Sequence, residues 1–322
     1  MVESIKKGLC EYALGIDIGC TKIQIACIEA NGNLLWTKRE PIKEDNKKLF
    51  MNQVYSLCKE AFKNYDISDC IGIGVAISAV ISKDNNTIIQ APNLPFLNNY
   101  KFKGNILNIL KNKYKKNIPV VLGFDGTASI IAETWIGAGE KYNNVATVII
   151  GTGIGYGLMI DGKIVYGSNN VIGAIGWARL GISKDVLSFE EICSGPAISY
   201  KGIKNINKKK KLNKKNRSVL NAKMIFDLAE QYDQYANYLI KSIIRYTGMN
   251  LANLVSIINP EIIILGGSVG LRFKPYLIKL KEIICHYAQP VAGESVILTC
   301  SELGNNAGAL GASGFILFNK FR

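Results

Sequence analysis

One pattern occurs twice in this chain and limits what it can fold into. Ala13–Asp17 is an apolar stretch ending in an aspartate, and a turn containing Gly19 follows it. Ile23–Glu29 then alternates as a strand, Asn31-Gly32 supplies a hairpin turn, and a third strand begins at Leu34. The same order returns much later. Val145–Ile150 leads into Gly151-Thr152-Gly153, a strand covers Gly157–Ile160, Asp161-Gly162 turns the chain, and Lys163–Tyr166 completes the set. The copies match in pattern and not in residues, and such a repeat predicts two similar lobes.

Between and after the copies, strands alternate with helices. Helices are expected over Asp45–Asn64, Ile106–Lys113 and about 126–136, and strands over Ile71–Ile77 and Val120–Phe124. Helical periodicity runs from Lys223 to Ile257 as one long helix or two, Ile262–Leu265 is a buried strand, and a last helix covers 305–317. That alternation makes an α/β chain. Its 322 residues suit about two domains. With 48% hydrophobic and 20% charged residues it needs no disulfide scaffold, and disorder and collagen are excluded.

The eight cysteines are scattered, several in apolar runs such as those around Cys27 and Cys285, and none forms a C-x-x-C pair. They are expected to be reduced, buried thiols. His286 is the only histidine, which excludes two-histidine mechanisms and zinc sites built on His with local cysteines. No signal-peptide h-region and no 18-residue apolar run is present, so the expected location is cytoplasmic, with no membrane partner. Lys and Arg total 39 against 25 Asp and Glu, a net charge of +14. Much of that excess lies in Lys201–Arg217, which has nine positive charges, no acid and no interleaved aromatic residue. Without stacking groups it is read as a solvated connection between two helices, and no nucleic-acid partner is expected.

Four short motifs carry chemistry. In Asp17-Ile18-Gly19-Cys20-Thr21-Lys22, the turn's N–H groups can cradle a phosphate, while Asp17 can hold Mg²⁺ through water. In Gly151-Thr152-Gly153-Ile154-Gly155-Tyr156-Gly157, four glycines between two strands again suit phosphate oxygens. A strand follows this turn, not the helix that a dinucleotide fingerprint needs. Gly266-Gly267-Ser268 ends a buried strand and lets a flat ring approach the backbone, although a plain strand-to-helix turn has the same pattern. Asp125 follows an apolar strand and precedes a helix. That position suits a general base toward a hydroxyl, and equally a helix N-cap.

Taken in order, these motifs resemble the sugar kinases of the ROK (repressor, ORF, kinase) family, within the actin-like ATPase and hexokinase superfamily. The resemblance covers about residues 12–317. It includes Pro92-Asn93-Leu94-Pro95 and the closing run from Gly304 through Asn306, Gly308 and Gly311 to Ala312. It implies a two-lobed actin-like (ribonuclease H-like) fold with a nucleotide cleft between the lobes. The lobes would be 1–124 and 125–322, with the last helix packing back on the first. It implies ATP and Mg²⁺ as cofactors. Asp17, Gly19, Cys20, Thr21 and Lys22 would form one phosphate loop, Gly151, Thr152, Gly153 and Gly155 the second, and Gly266, Gly267 and Ser268 would flank adenosine. Asp125 would take the proton from a sugar hydroxyl, usually the 6-hydroxyl. A small sugar is the implied substrate. A homodimer is common in the family, but no residue here specifies one.

Departures from the family lie on the sugar side. Phe124 stands where Asn usually precedes the base. The family's G-E-I-G-H becomes Gly173-Ala174-Ile175-Gly176-Trp177, losing a sugar-binding Glu and the His shared by zinc and sugar. The cysteine cluster is absent, so no zinc is expected. Glu190 matches the remaining sugar-contacting Glu, and Ser78 and Ala79 stand in a segment that replaces a proline–glycine turn. Ser78, Ala79, Asn93, Phe124, Ala174, Trp177 and Glu190 are thus the expected sugar-side residues. The aromatic pair suggests a modified hexose, and residues 80–95 are similar to D-allose kinases. The competing expectation is a catalytically silent or sugar-responsive binding protein. A DNA-binding domain is not expected, because only 16 residues precede Asp17.

Overall fold

The computed structural model describes residues 11–43, 45–170, 172–210 and 220–318. It divides into two compact units. The first takes the described residues of 1–137, 166–171 and 303–322, and the second those of 138–165 and 172–302.

The first unit is built on strands β1 (Tyr12–Ile18), β2 (Lys22–Glu29), β3 (Leu34–Pro41) and β4 (Cys70–Ile77). After the small hairpin β5 (Val80–Ile81) and β6 (Ile88–Gln90) comes β7 (Val120–Phe124). The main sheet has the order β3-β2-β1-β4-β7. β1 pairs antiparallel with β2 and parallel with β4, and β4 pairs parallel with β7. Helices α1 (Lys47–Asn64) and α2 (Phe102–Tyr114) supply Phe50, Val54, Leu57 and Phe102 to one core. Helix α3 (Asp125–Ile136) and a closing helix, Ala307–Leu317, pack in a second cluster with Ala13, Ala26 and Ile28.

The second unit repeats the plan. Its strands are β8 (Val145–Ile150), β9 (Ile154–Ile160), β10 (Lys163–Ile164), β11 (Ile262–Gly266) and β12 (Ile297–Cys300). Their order is β10-β9-β8-β11-β12, with β8 antiparallel to β9 and parallel to β11. The internal repeat of the sequence is therefore a repeat of sheet topology. Helices α4 (Phe189–Cys193), α5 (Gly195–Lys210), α6 (Ala222–Glu230), α7 (Gln234–Ile258), α8 (Gly267–Gly270), α9 (Leu277–Tyr287) and α10 (Pro290–Ser295) complete it, and the closing helix is α11.

Several expectations change. The boundary falls after Gly137, because α3 packs in the cluster of the first sheet. Of the two readings of the periodic stretch near 223–257, two helices is the one found, with the break where Tyr232 takes φ 62°. Helix α5 runs into the basic segment as far as Lys210, so that part is not a connection, and 211–217 lies outside the described residues. Cys285 is exposed, whereas Cys27, Cys58, Cys70, Cys193 and Cys300 are buried. Cys10 lies outside the described residues. Among the described residues no helix is long and apolar enough to cross a membrane.

Glycines let α11 lie on the sheet at backbone contact. A Cβ on Gly15 of β1 would sit 2.1 Å from the Ala309 carbonyl oxygen, and one on Gly74 of β4 would sit 1.7 Å from that of Ala312. On the helix, a Cβ on Gly311 would sit 1.9 Å from the Ala128 oxygen in α3. Backbone atoms cannot swing away as a side chain can. Gly74→Ala should therefore destabilise the chain by about 1–3 kcal/mol, read as a lower Tm. Gly104→Ala, in α2 with its nearest neighbour at 3.7 Å, should leave Tm unchanged or raise it. Equal Tm values for the two variants would contradict the backbone contact.

Candidate active site

In the first unit three parallel strands end level with one another. Ile18 pairs with Ile77, and Ile77 pairs with Phe124. The residues that follow are Gly19, Ser78 and Asp125. Carboxyl ends of parallel strands are where α/β sheets bind ligands.

Asp125 is the first residue of α3, and Phe124 occupies the N-cap position without a side-chain cap. The Asp125 carboxylate accepts 2.8 Å from the adjacent Gly126 N–H and also bonds the Ser78 hydroxyl. An N-cap would accept from a residue two or three further on. Asp125 is therefore not the N-cap of α3, although its carboxylate accepts from an amide of the first turn as well as from Ser78. Burial raises its pKa to about 6, and the bonds from Ser78 and Gly126 hold it back from rising further. Asp17 rises to about 7, through burial first and then the negative charge of Asp125, with Arg39 pulling the other way. Two carboxylates with raised pKa values, one of them raised in part by the other, suit proton transfer near neutrality.

The surroundings of Asp17 explain its environment. A Cβ on Gly308, in the first turn of α11, would lie 2.3 Å from an Asp17 oxygen, so only glycine leaves room for the carboxylate. Across the sheet, Asp17 pairs with Gln24 and Gln24 with Arg39, which puts the three in one row. Arg39 Nε donates 3.1 Å to the Gln24 Oε1, and a second guanidinium nitrogen donates to the same oxygen. Gln24 Nε2 donates to Asn306 Oδ1 at 2.7 Å and to Thr37 Oγ1 at 3.0 Å. Gln24 and Arg39 carry no motif signature, and Asn306 lies in the closing run without any sign there of its bond to Gln24. The available signal was a polar Gln24 inside a strand whose apolar residues point to burial on both faces, because a buried amide must find partners.

The turn after Asp17 is closed by the Gly19 N–H donating 3.0 Å to the Lys22 carbonyl. Thr21 and Lys22 are exposed, and Cys20 is half-buried. Ala79 packs in the core, so its side chain does not line this site, and Asn93 is exposed in a separate turn.

The second unit also gathers its motifs at strand ends. The Gly151 N–H donates 2.9 Å to the Gly153 oxygen, and the Gly151 oxygen accepts 2.7 Å from Gly195 at the start of α5. Thr152 is exposed at the tip, while Gly155 lies inside β9 opposite Ile149. Gly266 pairs with Ile149, and the Ser268 hydroxyl is 3.8 Å from where a Cβ on Gly151 would be. Gly267 has φ +81°, and its Cβ would meet the Ile150 oxygen at 2.5 Å, so glycine is required by space and by conformation. The Glu190 carboxylate accepts 2.6 Å from the Ile154 N–H. Ala174 is exposed beside the turn Ile175–Trp177, and Trp177 is 74% exposed. Among the described residues no group of three or more His, Cys, Asp or Glu is arranged to hold a metal ion.

The chain is 26% identical over 320 residues to a glucokinase of Halalkalibacterium halodurans, across 95% of this chain and 94% of that one. It is 25% identical to a xylose repressor of Caldicellulosiruptor bescii, across 94% of this chain and 77% of the repressor. A crystal structure of a ROK family glucokinase from Streptomyces griseus, in complex with glucose and AMPPNP, shares the fold. Its TM-score is 0.80 at 22% identity, across 95% of this chain and 99% of that one. The ROK family model matches residues 13–319. With its duplicated α/β sheet, its two glycine turns and a match spanning nearly every described residue, this chain belongs to the ROK family.

Proposed function

We propose that this chain is an ATP-dependent sugar kinase with Asp125 as general base. The observation that carries the reading is Asp125 itself. It stands inside the first turn and not at the N-cap, is bonded to Ser78 and is raised to about 6, so it is ionised at neutral pH yet basic enough to take a proton. The similarity to a glucokinase supports a sugar as the acceptor. In this reading Asp125 takes the proton of a hexose hydroxyl, the 6-hydroxyl by family pattern, as that oxygen attacks the γ-phosphate of ATP.

The phosphate side uses both glycine turns. Gly19, Cys20, Thr21 and Lys22 face the terminal phosphates, Gly151, Thr152, Gly153 and Gly155 form the second cradle, and Gly266, Gly267 and Ser268 flank adenosine. The donor chemistry near Asp17 fits Mg²⁺. The charge of Asp125 raises the cost of ionising Asp17, and a hard dication held through water on Asp17 would relieve it. When bound, Mg²⁺ supplies neutralisation of the phosphate charge. On the sugar side, Phe124, Ala174 and Trp177 replace polar family residues, and Ser78, Asn93 and Glu190 complete the set, while the Ala79 side chain is turned into the core. An exposed Trp177 offers an aromatic face to an apolar or N-acyl substituent, which favours a modified hexose. The same losses favour a silent sugar-binding protein as the second reading. A cytoplasmic location and a homodimer remain part of the proposal.

Two measurements separate the readings. Asp125→Asn should lower acceptor-dependent ADP release by about 10²- to 10⁴-fold while leaving nucleotide binding in place. Retained turnover in that variant would remove Asp125 from the mechanism. The second measurement is the pH profile. A base acts when deprotonated, so kcat/KM should be flat above neutrality. It should fall as pH drops through the range of about 6 to 7 in which the Asp17–Asp125 pair takes up protons. An acid limb near pH 4, the ordinary carboxylate range, would contradict the raised pair.

A further inference from the structure

Glu190 is built into the second glycine turn. Its Oε2 accepts from the Ile154 N–H at 2.6 Å, at the first residue of β9 after Gly151-Thr152-Gly153. The turn is shaped around that carboxylate. A Cβ on Gly153 would come within 2.7 Å of the same oxygen, and one on Gly176 would lie 3.2 Å from it and 2.5 Å from the Ile154 carbonyl. The delivery of Glu190 is equally defined. Helix α4 starts in a capping box: Ser188 Oγ accepts from the Glu191 N–H at 3.3 Å, and Glu191 Oε2 accepts from the Ser188 N–H at 2.7 Å. Directly after it, Gly195 donates to Gly151 at the other end of the turn. Both ends of Gly151–Gly153 are thus tied to the α4 region, one by backbone and one by a side chain.

We propose that Glu190 is a positioning residue of the second phosphate turn: by holding the Ile154 amide, it sets the shape in which Gly151–Gly153 receives the phosphates of a nucleotide. This extends its family-implied duty as a sugar contact, and it rests on the phosphate-turn reading given above. A residue serving the sugar alone would leave nucleotide affinity untouched when no sugar is present.

Two readouts test it, neither of them turnover. The first is amide hydrogen exchange at Ile154 in the ligand-free chain, and the second is calorimetric binding of Mg-ADP and Mg-AMPPNP without sugar. Glu190→Ala should speed exchange at Ile154 by about tenfold or more, with the central amides of β8 unchanged. It should weaken both nucleotides by roughly tenfold. Glu190→Gln keeps one oxygen for the Ile154 amide and should recover most of both effects. Unchanged exchange at Ile154 in Glu190→Ala would overturn the anchor. Faster exchange with nucleotide affinity within twofold of the parent chain would overturn its role in nucleotide binding. If the parent chain bound neither nucleotide, the kinase reading would fall and this role with it, whereas exchange at Ile154 would still report on the anchor alone.

Discussion

Backbone contact between the closing helix and the first sheet underlies the organisation of this site. Glycines at 15 and 74 on the strands and at 308 on the helix leave out Cβ atoms that would hold the two apart, and Gly311 lets the same helix approach α3. Packing at this distance has a direct chemical consequence. It brings the first turn of α11 onto the Asp17 carboxylate and places Asn306 where it accepts from Gln24. The carboxyl end of β1 therefore meets a helix terminus, and burial raises the pKa of both Asp17 and Asp125.

The electrostatics follow from that enclosure. Two carboxylates that repel one another need a counter-charge, and Arg39, held on Gln24 in the same cross-strand row, supplies the protein's own share. Ser78 and the Gly126 amide limit how far Asp125 rises, which leaves it below Asp17. Pairs of acids whose surroundings push their pKa values apart are how one site separates a base from a charge holder. In the second unit the same kind of strand end carries no such acid pair. Glu190 there accepts from the Ile154 amide beside the glycine turn.

Much of this was legible in the sequence because turns and buried strands leave strong local signals. The duplicated strand–glycine–strand pattern became two sheets of the same order, and Asp125 was recognisable by its place between an apolar strand and a helix. What stayed hidden was long-range. Whether Asp125 capped α3 depended on which amides its carboxylate reached. Gln24 and Asn306 lie 282 positions apart, and no local pattern announces such a bond. The domain boundary was misplaced for the same reason: α3 follows β7 directly, but its packing partner is a helix almost two hundred residues later. Ala79 follows Ser78 directly, yet in the turn between β4 and β5 its side chain packs into the core.

The central claim is that Asp125 and the two glycine turns together move a phosphate from ATP to a sugar hydroxyl. Product analysis by mass spectrometry and phosphorus NMR tests it most directly. ATP and Mg²⁺ would be supplied with a panel of glucose, allose, mannose, fructose, amino and N-acetylated hexoses and glycosides. The account predicts one sugar phosphate formed mole for mole with ADP, with a modified hexose outranking glucose. Nucleotide binding without any phosphorylated sugar across the panel would contradict it and make the chain a sugar-side binding protein.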